Sequence, residues 1–432
     1  MILELIVLSQ LAAASPAPQA AEADSIPTVT LEQALQAAAL LDPNYVAALG
    51  GIDDATWGRR AALAVFVLPS VSLQTSLTKA SDPFFNVGTG DIASQIVDAR
   101  VQLGYDLFRG GSKFFELART RAELESAQAN ETRTRFATAV LTESDYYDVL
   151  AETELTRVAS DRVRRAREQL AVARARVLTG AAVQTDSLQL LLELTRAQVD
   201  LLRQQATLRV ARVQLGRRIG YPGPVDAAPI DTTPMPDLPI REDSAVSEAL
   251  MQGPEFRRSV ADERAASAAL KQARAAYLPW VSLFASWQGF DEKYFPEATT
   301  RTLYGFQVTF PLWNNAQREI ALARARTARD VARAVMEDTE LAVRRDVIQA
   351  YQAYNTARAA EDLALQGVTV ARENLDVQNT RYRAGATTIL DLLSAQVALS
   401  EAEAAAVQAR YATRLALAGL EALLGRRLFT DR

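Results

Sequence analysis

The sequence predicts a mainly α protein with a small transmembrane β part, built as a tandem duplication of long helical hairpins that carries four strands. Three observations lead there. A short turn is written twice, as TGAAVQTDSLQ (Thr179 to Gln189) and AGATTILDLLS (Ala384 to Ser394), so that Gly180 and Asp186 answer to Gly385 and Asp391 at one common separation. Short stretches ahead of each turn alternate apolar and polar residues with period two. Between them, Ser112 to Leu178 and Ala316 to Arg383 contain no proline.

The duplication extends well beyond the turns. At the same separation Gln102 pairs with Gln307, Ala118 with Ala323, Arg119 with Arg324, Tyr146 with Tyr351, Arg176 with Arg381, Leu215 with Leu420 and Gly220 with Gly425. A gapless match over roughly 120 residues is a repeat of structure, not a coincidence of composition. LPSVSL (Leu68 to Leu73) and LPWVSL (Leu278 to Leu283) extend it upstream at a slightly longer separation.

Taken in chain order, residues 1–23 read as an export signal, with an apolar run from Met1 to Ala14 and a small-x-small site at Ala21-Glu22-Ala23, although Glu4 stands where a basic residue is usual. The first repeat follows over 24–220. Its strands are expected at about 70–79 and 95–108, where Val97, Ala99, Val101, Leu103 and Tyr105 alternate with Asp98, Arg100, Gln102 and Gly104. A long helix over about 112–178 and a return helix over about 185–220 complete it. Residues 221–239, YPGPVDAAPIDTTPMPDLP, are too rich in proline for a regular helix or central strand and form the linker. The second repeat, 240–432, places strands at about 280–290 and 301–312, a long helix at about 316–383 and a return helix at about 390–425. In that long helix Val343, Val347, Tyr351, Tyr354 and Ala357 mark a face that seeks a partner. At 1.5 Å per residue each long helix measures about 100 Å, more than a compact domain needs.

Four strands cannot close on themselves in lipid. Every backbone group there must be paired, and bacterial barrels begin at about eight strands, so several copies must pool their strands. The loops joining the strands, Ala80 to Asp91 and Phe290 to Thr300, carry Phe84, Phe85, Tyr294 and Phe295, aromatic residues placed to sit at a membrane interface. Outside the leader there is no uncharged apolar run long enough for a membrane-spanning helix.

The composition narrows the function. With no Cys and no His, thiol nucleophiles, imidazole bases and the commonest transition-metal ligands are all missing, which leaves no catalytic constellation, metal site or cofactor site to assign. A net charge of −5, with arginines scattered among acids, offers no stripe for nucleic acid. The arginines between Arg162 and Arg167 read as a solvated helix face. A soluble coiled-coil scaffold is the alternative; it accounts for the helices and leaves the alternating strands and the leader unexplained.

RYRAGATTILDLLSAQ (Arg381 to Gln396), together with the duplication and the strand pair ahead of each long helix, resembles the TolC-like outer-membrane efflux proteins over nearly the whole chain. The resemblance implies a homotrimer whose twelve strands form one barrel in the outer membrane of a Gram-negative-type bacterium, in contact with its lipid. The helices would extend it as an α-barrel through the periplasm. It implies the exit duct of a tripartite efflux pump or type I secretion system, a passive conduit that docks a periplasmic adaptor and, through it, an inner-membrane RND or ABC transporter. Each repeated turn would be a tip of the tube. Thr179, Gly180, Ala181, Ala384, Gly385 and Ala386 become the adaptor-docking residues, and Asp186, Asp391 and Tyr382 the periplasmic gate. For Asp186 and Asp391 the residues themselves leave a second reading open, a carboxylate stabilising the positive end of the return helix. The family's gate arginine and second acid fall at Thr387 and Ser394 here, a departure from its pattern.

Overall fold

In the computed structural model, residues 26–180, 182–292 and 299–429 are described. The leader, Ala181, Tyr294 and Phe295 therefore lie outside the described residues. The chain runs β1 (Thr28–Val29), α1 (Leu31–Leu41), α2 (Pro43–Val67), β2 (Ser70–Phe85), β3 (Ile92–Arg109), α3 (Ser112–Leu178), α4 (Gln184–Ile219), β4 (Asp226–Ala227), α5 (Glu242–Gln252), α6 (Pro254–Ala275), β5 (Trp280–Asp291), β6 (Thr299–Thr309), α7 (Gln317–Arg383) and α8 (Ile389–Leu424).

Local chemistry sets these boundaries. Thr30 and Gln33 close a capping box at the start of α1. Pro43 then ends that helix and opens α2, whose first amides, those of Asn44 and Tyr45, donate to Asp42 Oδ1 at 2.8 and 3.1 Å. The long helices α3 and α7 are 67 residues each, in keeping with their proline-free sequence.

The four strands form one antiparallel sheet in the order β2-β3-β5-β6. Its register stacks Leu73 beside Val101, Val101 beside Trp287, and Leu283 between Tyr105 and Phe306, so one face is apolar and solvent-exposed, with Tyr304 82% exposed. The opposite face carries Ser72, Gln102, Ser286 and Gln288. A sheet whose apolar side has no protein cover is built for hydrocarbon. Its outer strands β2 and β6 have no further strand beside them among the described residues.

The strand ends differ from the sequence expectation. Strand β2 runs past 79 to Phe85, through a register shift between Lys79 and Phe84, and β3 begins at Ile92. Phe84 and Phe85 are thus strand residues paired with Ala93 and Ile92, not loop residues. The turn shrinks to Asn86 through Asp91 because Asn86 Oδ1 accepts from the amides of Gly88 and Thr89 at 2.8 and 3.3 Å. At the other end β6 stops at Thr309 rather than 312, since Pro311 has no N–H to offer the ladder.

Near the sheet, α3 and α7 pack with α2 and α6; farther away they pack with α4 and α8. The side-by-side order is α2-α3-α6-α7 in the first layer and α4-α3-α8-α7 in the second. Between these layers α1, α5, the β1–β4 pair and the linker lie against the middle of the long helices. Beyond the short β4, several carbonyls of the linker, and that of Ile240 just after it, accept from side chains of α3, α7 and α8. Tyr146 donates to Ala228 O at 2.7 Å, Tyr354 to Pro236 O at 2.6 Å, Tyr351 to Ile240 O at 3.3 Å and Arg358 Nε to Met235 O at 2.9 Å, while Arg414 donates to Asp231 O. Nearby, Arg427 joins the buried Glu143 and Glu421 at 2.6 and 2.8 Å, a pairing that two desolvated carboxylates require.

Candidate functional site at the helical tips

Farthest from the sheet, α3 reverses into α4 and α7 into α8. At the first reversal Thr179 caps α3, and Gly180 takes φ +72° with its amide donating to Val177 O at 3.1 Å. At the second, Gly385 takes φ +75°; its amide donates to Tyr382 O at 3.0 Å and that of Ala386 to Arg381 O at 2.8 Å, the paired bonds of a Schellman cap. Left-handed backbone at both points accounts for the repeated glycine. Thr179, Gly180, Ala384, Gly385 and Ala386 are all exposed.

The two aspartates occupy the third position of their helices and differ in partners. Asp391 closes a capping box with Thr388: its Oδ2 accepts from Thr388 Oγ1 at 2.6 Å, the Thr388 amide at 3.1 Å and Thr387 Oγ1 at 2.9 Å. These bonds, led by the Thr388 and Thr387 hydroxyls, hold its carboxyl below the usual range. Helix α4 opens instead on Val183, which has no side-chain acceptor, so no capping box forms around Asp186. Asp186 faces the hydroxyl of Tyr382 on α7.

Tyr382 is 3% exposed and packs among Leu170, Ala173, Leu190, Leu375, Ile389 and Leu392, which draws one cluster from all four tip helices. No hydrogen bond of normal geometry closes on its hydroxyl. Burial first, then the charge of Asp186, push its phenol above the ordinary value, with Arg176 acting the other way. Arg176, near the end of α3, stacks on the Tyr382 ring at 4.8 Å and donates to the Tyr382 carbonyl.

Thr387 lies between Gln378 Oε1 (3.1 Å) and Asp391 Oδ2 (2.9 Å), and Ser394 donates to Asp391 O at 2.9 Å, so both departures from the family pattern serve the local α7–α8 turn. Within the arginine cluster Arg164 and Arg167 are exposed, as a solvated face requires, whereas Arg162 and Arg165 are not. Arg162 bridges to Glu193 and Asp200 of α4 at 2.6 and 3.2 Å, and Arg165 to Glu403 of α8 at 3.3 Å. Both are half-buried ties between helices, not members of a solvated face. Sequence reasoning also passed over the exposed apolar residues beside the turns, Leu178 (88% exposed), Val183 and Leu390. Their signal was present: apolar residues immediately flanking a glycine turn have no core to enter. Above the tip, a groove of about 440 Å³ between α3 and α7 is lined by Arg157, Arg164, Arg372, Asp376 and Glu403 among others.

Long antiparallel helices ending in exposed glycine turns are joined to a sheet that is apolar on one side. The sequence matches the outer membrane efflux protein family over residues 9–221 and 245–426. The chain belongs to the outer membrane efflux protein family. It is 30% identical over 379 residues to the pyoverdine export outer membrane protein OpmQ of Pseudomonas aeruginosa, a match that covers 83% of this chain and 74% of that one. Among solved structures, it superposes on the outer membrane protein VceC of Vibrio cholerae with a TM-score of 0.76 at 19% identity, covering 92% of this chain and 97% of that one. The open state of the MtrE outer membrane channel of Neisseria gonorrhoeae gives a TM-score of 0.76 at 18% identity, covering 92% and 89%. The efflux channel is thus an outer-membrane protein of a family whose members are channels, not enzymes. Among the described residues no helix is long and apolar enough to cross a membrane and no cluster of metal-ligating side chains occurs.

Proposed function

We propose that three copies of this channel close head-to-tail into one tube, a twelve-stranded barrel over a helical barrel, whose tips form a gated aperture and the seat of a periplasmic adaptor. One observation carries the reading: sheet and helical layers end in unpartnered edges on the same two sides. Strand β2 lies with α2 and α4 on one side, and β6 lies with α7 on the other. The outer face of α7 exposes Leu341, Ile348, Leu363, Val370 and Val377, and that of α4 exposes Leu192, Val199, Leu202 and Val210. Apolar stripes at heptad spacing on opposite edges suit a heterologous interface that closes by rotation. Within the tube, the copies of Asp186, Tyr382 and Asp391 surround the aperture. Thr179, Gly180 and Ala181 at one tip and Ala384, Gly385 and Ala386 at the other receive the adaptor, which links the duct to an inner-membrane RND or ABC pump. Residues 1–23 serve as the export signal, and Phe84, Phe85, Tyr294 and Phe295 ring the membrane interface.

Purified in detergent, the full chain is expected to run at three times its mass and to conduct in planar bilayers. Leu363→Arg with Val370→Arg, which charges the α7 stripe, is expected to leave monomers. A wild-type chain that is monomeric and non-conducting, or a charged variant that still assembles, overturns the reading.

A further inference from the structure

We propose that Arg176 is the positioning residue that latches the lower end of α7 against the first-repeat hairpin, and so sets how far the aperture stays shut. This rests on the gate reading above and extends it to a residue outside the gate set.

The packing of α7 makes such a latch necessary. Along its length α7 packs on α5, α6 and α8, whereas its contacts with α3 and α4 are at most isolated ones among the described residues. Near the tip, Tyr382 joins Leu375 in a buried cluster in which α7 meets both first-repeat helices. Arg176 of α3 approaches it from one side, and Asp186 of α4 faces its hydroxyl. The guanidinium makes two kinds of contact there. It donates to the Tyr382 carbonyl, which already accepts from Gly385, so the cation sits where the last turn of α7 concentrates its negative dipole. It also stacks on the ring at 4.8 Å. A methyl group added at Gly385 would stand 3.5 Å from Arg176 Nη2, an ordinary van der Waals contact, so the guanidinium lies directly against the turn.

The duplication sharpens the assignment. Arg381 is the repeat counterpart of Arg176, yet it is exposed, while Arg176 is turned inward onto the other repeat. Thr387, in the second-repeat turn, is engaged within that turn. The cation at this contact comes from the first repeat. A fork that bonds a carbonyl while its central carbon sits over a ring suits a guanidinium better than an ammonium.

The test is single-channel recording of the full-length protein in planar bilayers, with assembly and thermal melting of each variant measured alongside. Arg176→Ala is expected to raise the open fraction about tenfold, the change that loss of one charged hydrogen bond brings to a two-state equilibrium, with assembly unchanged. Arg176→Lys, which keeps the charge and serves if the alanine variant folds poorly, is expected to fall between wild type and alanine. In a Tyr382→Ala background Arg176→Ala is expected to add less than it does in the wild type, since the ring contact is gone while the bond to the residue 382 carbonyl remains. If Tyr382→Ala opens the channel while Arg176→Ala and Arg176→Lys conduct like wild type, or if the effects of Arg176→Ala and Tyr382→Ala simply add, the latch is refuted and the gate stands. If Tyr382→Ala also conducts like wild type, the gate reading itself fails and takes the latch with it.

Discussion

The two tips share a turn and differ in what their aspartates do. Each places glycine in left-handed backbone after a long helix and an aspartate at the third position of the return helix. At the second tip Thr388 precedes that helix and engages Asp391; at the first, Val183 stands in the same place and leaves Asp186 to Tyr382. One hydroxyl thus separates a carboxylate spent on its own helix from one that reaches across to another. A duplicated segment keeps its geometry through glycine and acquires a new role through the residue at the helix cap.

The comparison can be broken most severely at Tyr382. Tyr382→Ala removes a buried ring shared by four helices and is expected to cost about 3–5 kcal/mol locally; hydrogen exchange should then speed up in the last turns of α7 far more than in the first turn of α4. Next come the glycines. Gly180→Ala and Gly385→Ala each force an L residue into left-handed backbone, for about 1–2 kcal/mol, and the two should cost alike in thermal melts, since neither added methyl would be crowded. A smaller and more informative change is Val183→Thr, which gives the first tip the cap of the second. It should stabilise the start of α4 by about 1 kcal/mol while drawing Asp186 away from Tyr382, so conductance rises even as the helix firms; firmer helix with unchanged conductance would separate Asp186 from the gate.

The smallest effect is one of pH. Because the folded-state pKa of Asp391 is depressed, its contribution to α8 is complete above the unfolded carboxyl value of about 3.9 and is lost only as pH falls through the lower folded value. Amide protection in the first turn of α8 should therefore persist below the usual carboxylate range, and Thr388→Val should move its loss upward. An unchanged profile in that variant would show that the cap is not what holds the charge.

Much of this was legible in the sequence. Period two in Val97 through Tyr105 and the absence of proline from Ser112 to Leu178 are local signals, and they found the strands and the long helix. Where a tertiary partner decides, they fell short: β2 continues through Lys79 to Phe85 because β3 offers it a partner across an irregular step, which no propensity encodes. The site divided along the same line. Gly180 and Gly385 announced themselves by repetition, since backbone conformation is local. Arg176 did not, because its target lies in the other repeat and its own repeat mate points outward. Arg162 and Arg165 were misread for a similar reason: a charged helix face looks alike whether water or the acids of α4 and α8 cover it.

The stapled linker has a mechanical consequence. Tyr146 on α3, Tyr351, Tyr354 and Arg358 on α7 and Arg414 on α8 all grip one proline-rich ribbon at mid-height. That ribbon is a clamp: it ties α3, α7 and α8 together part-way along their length, so in the proposed tube a shift of the helices at the tips is resisted there before it reaches the strands.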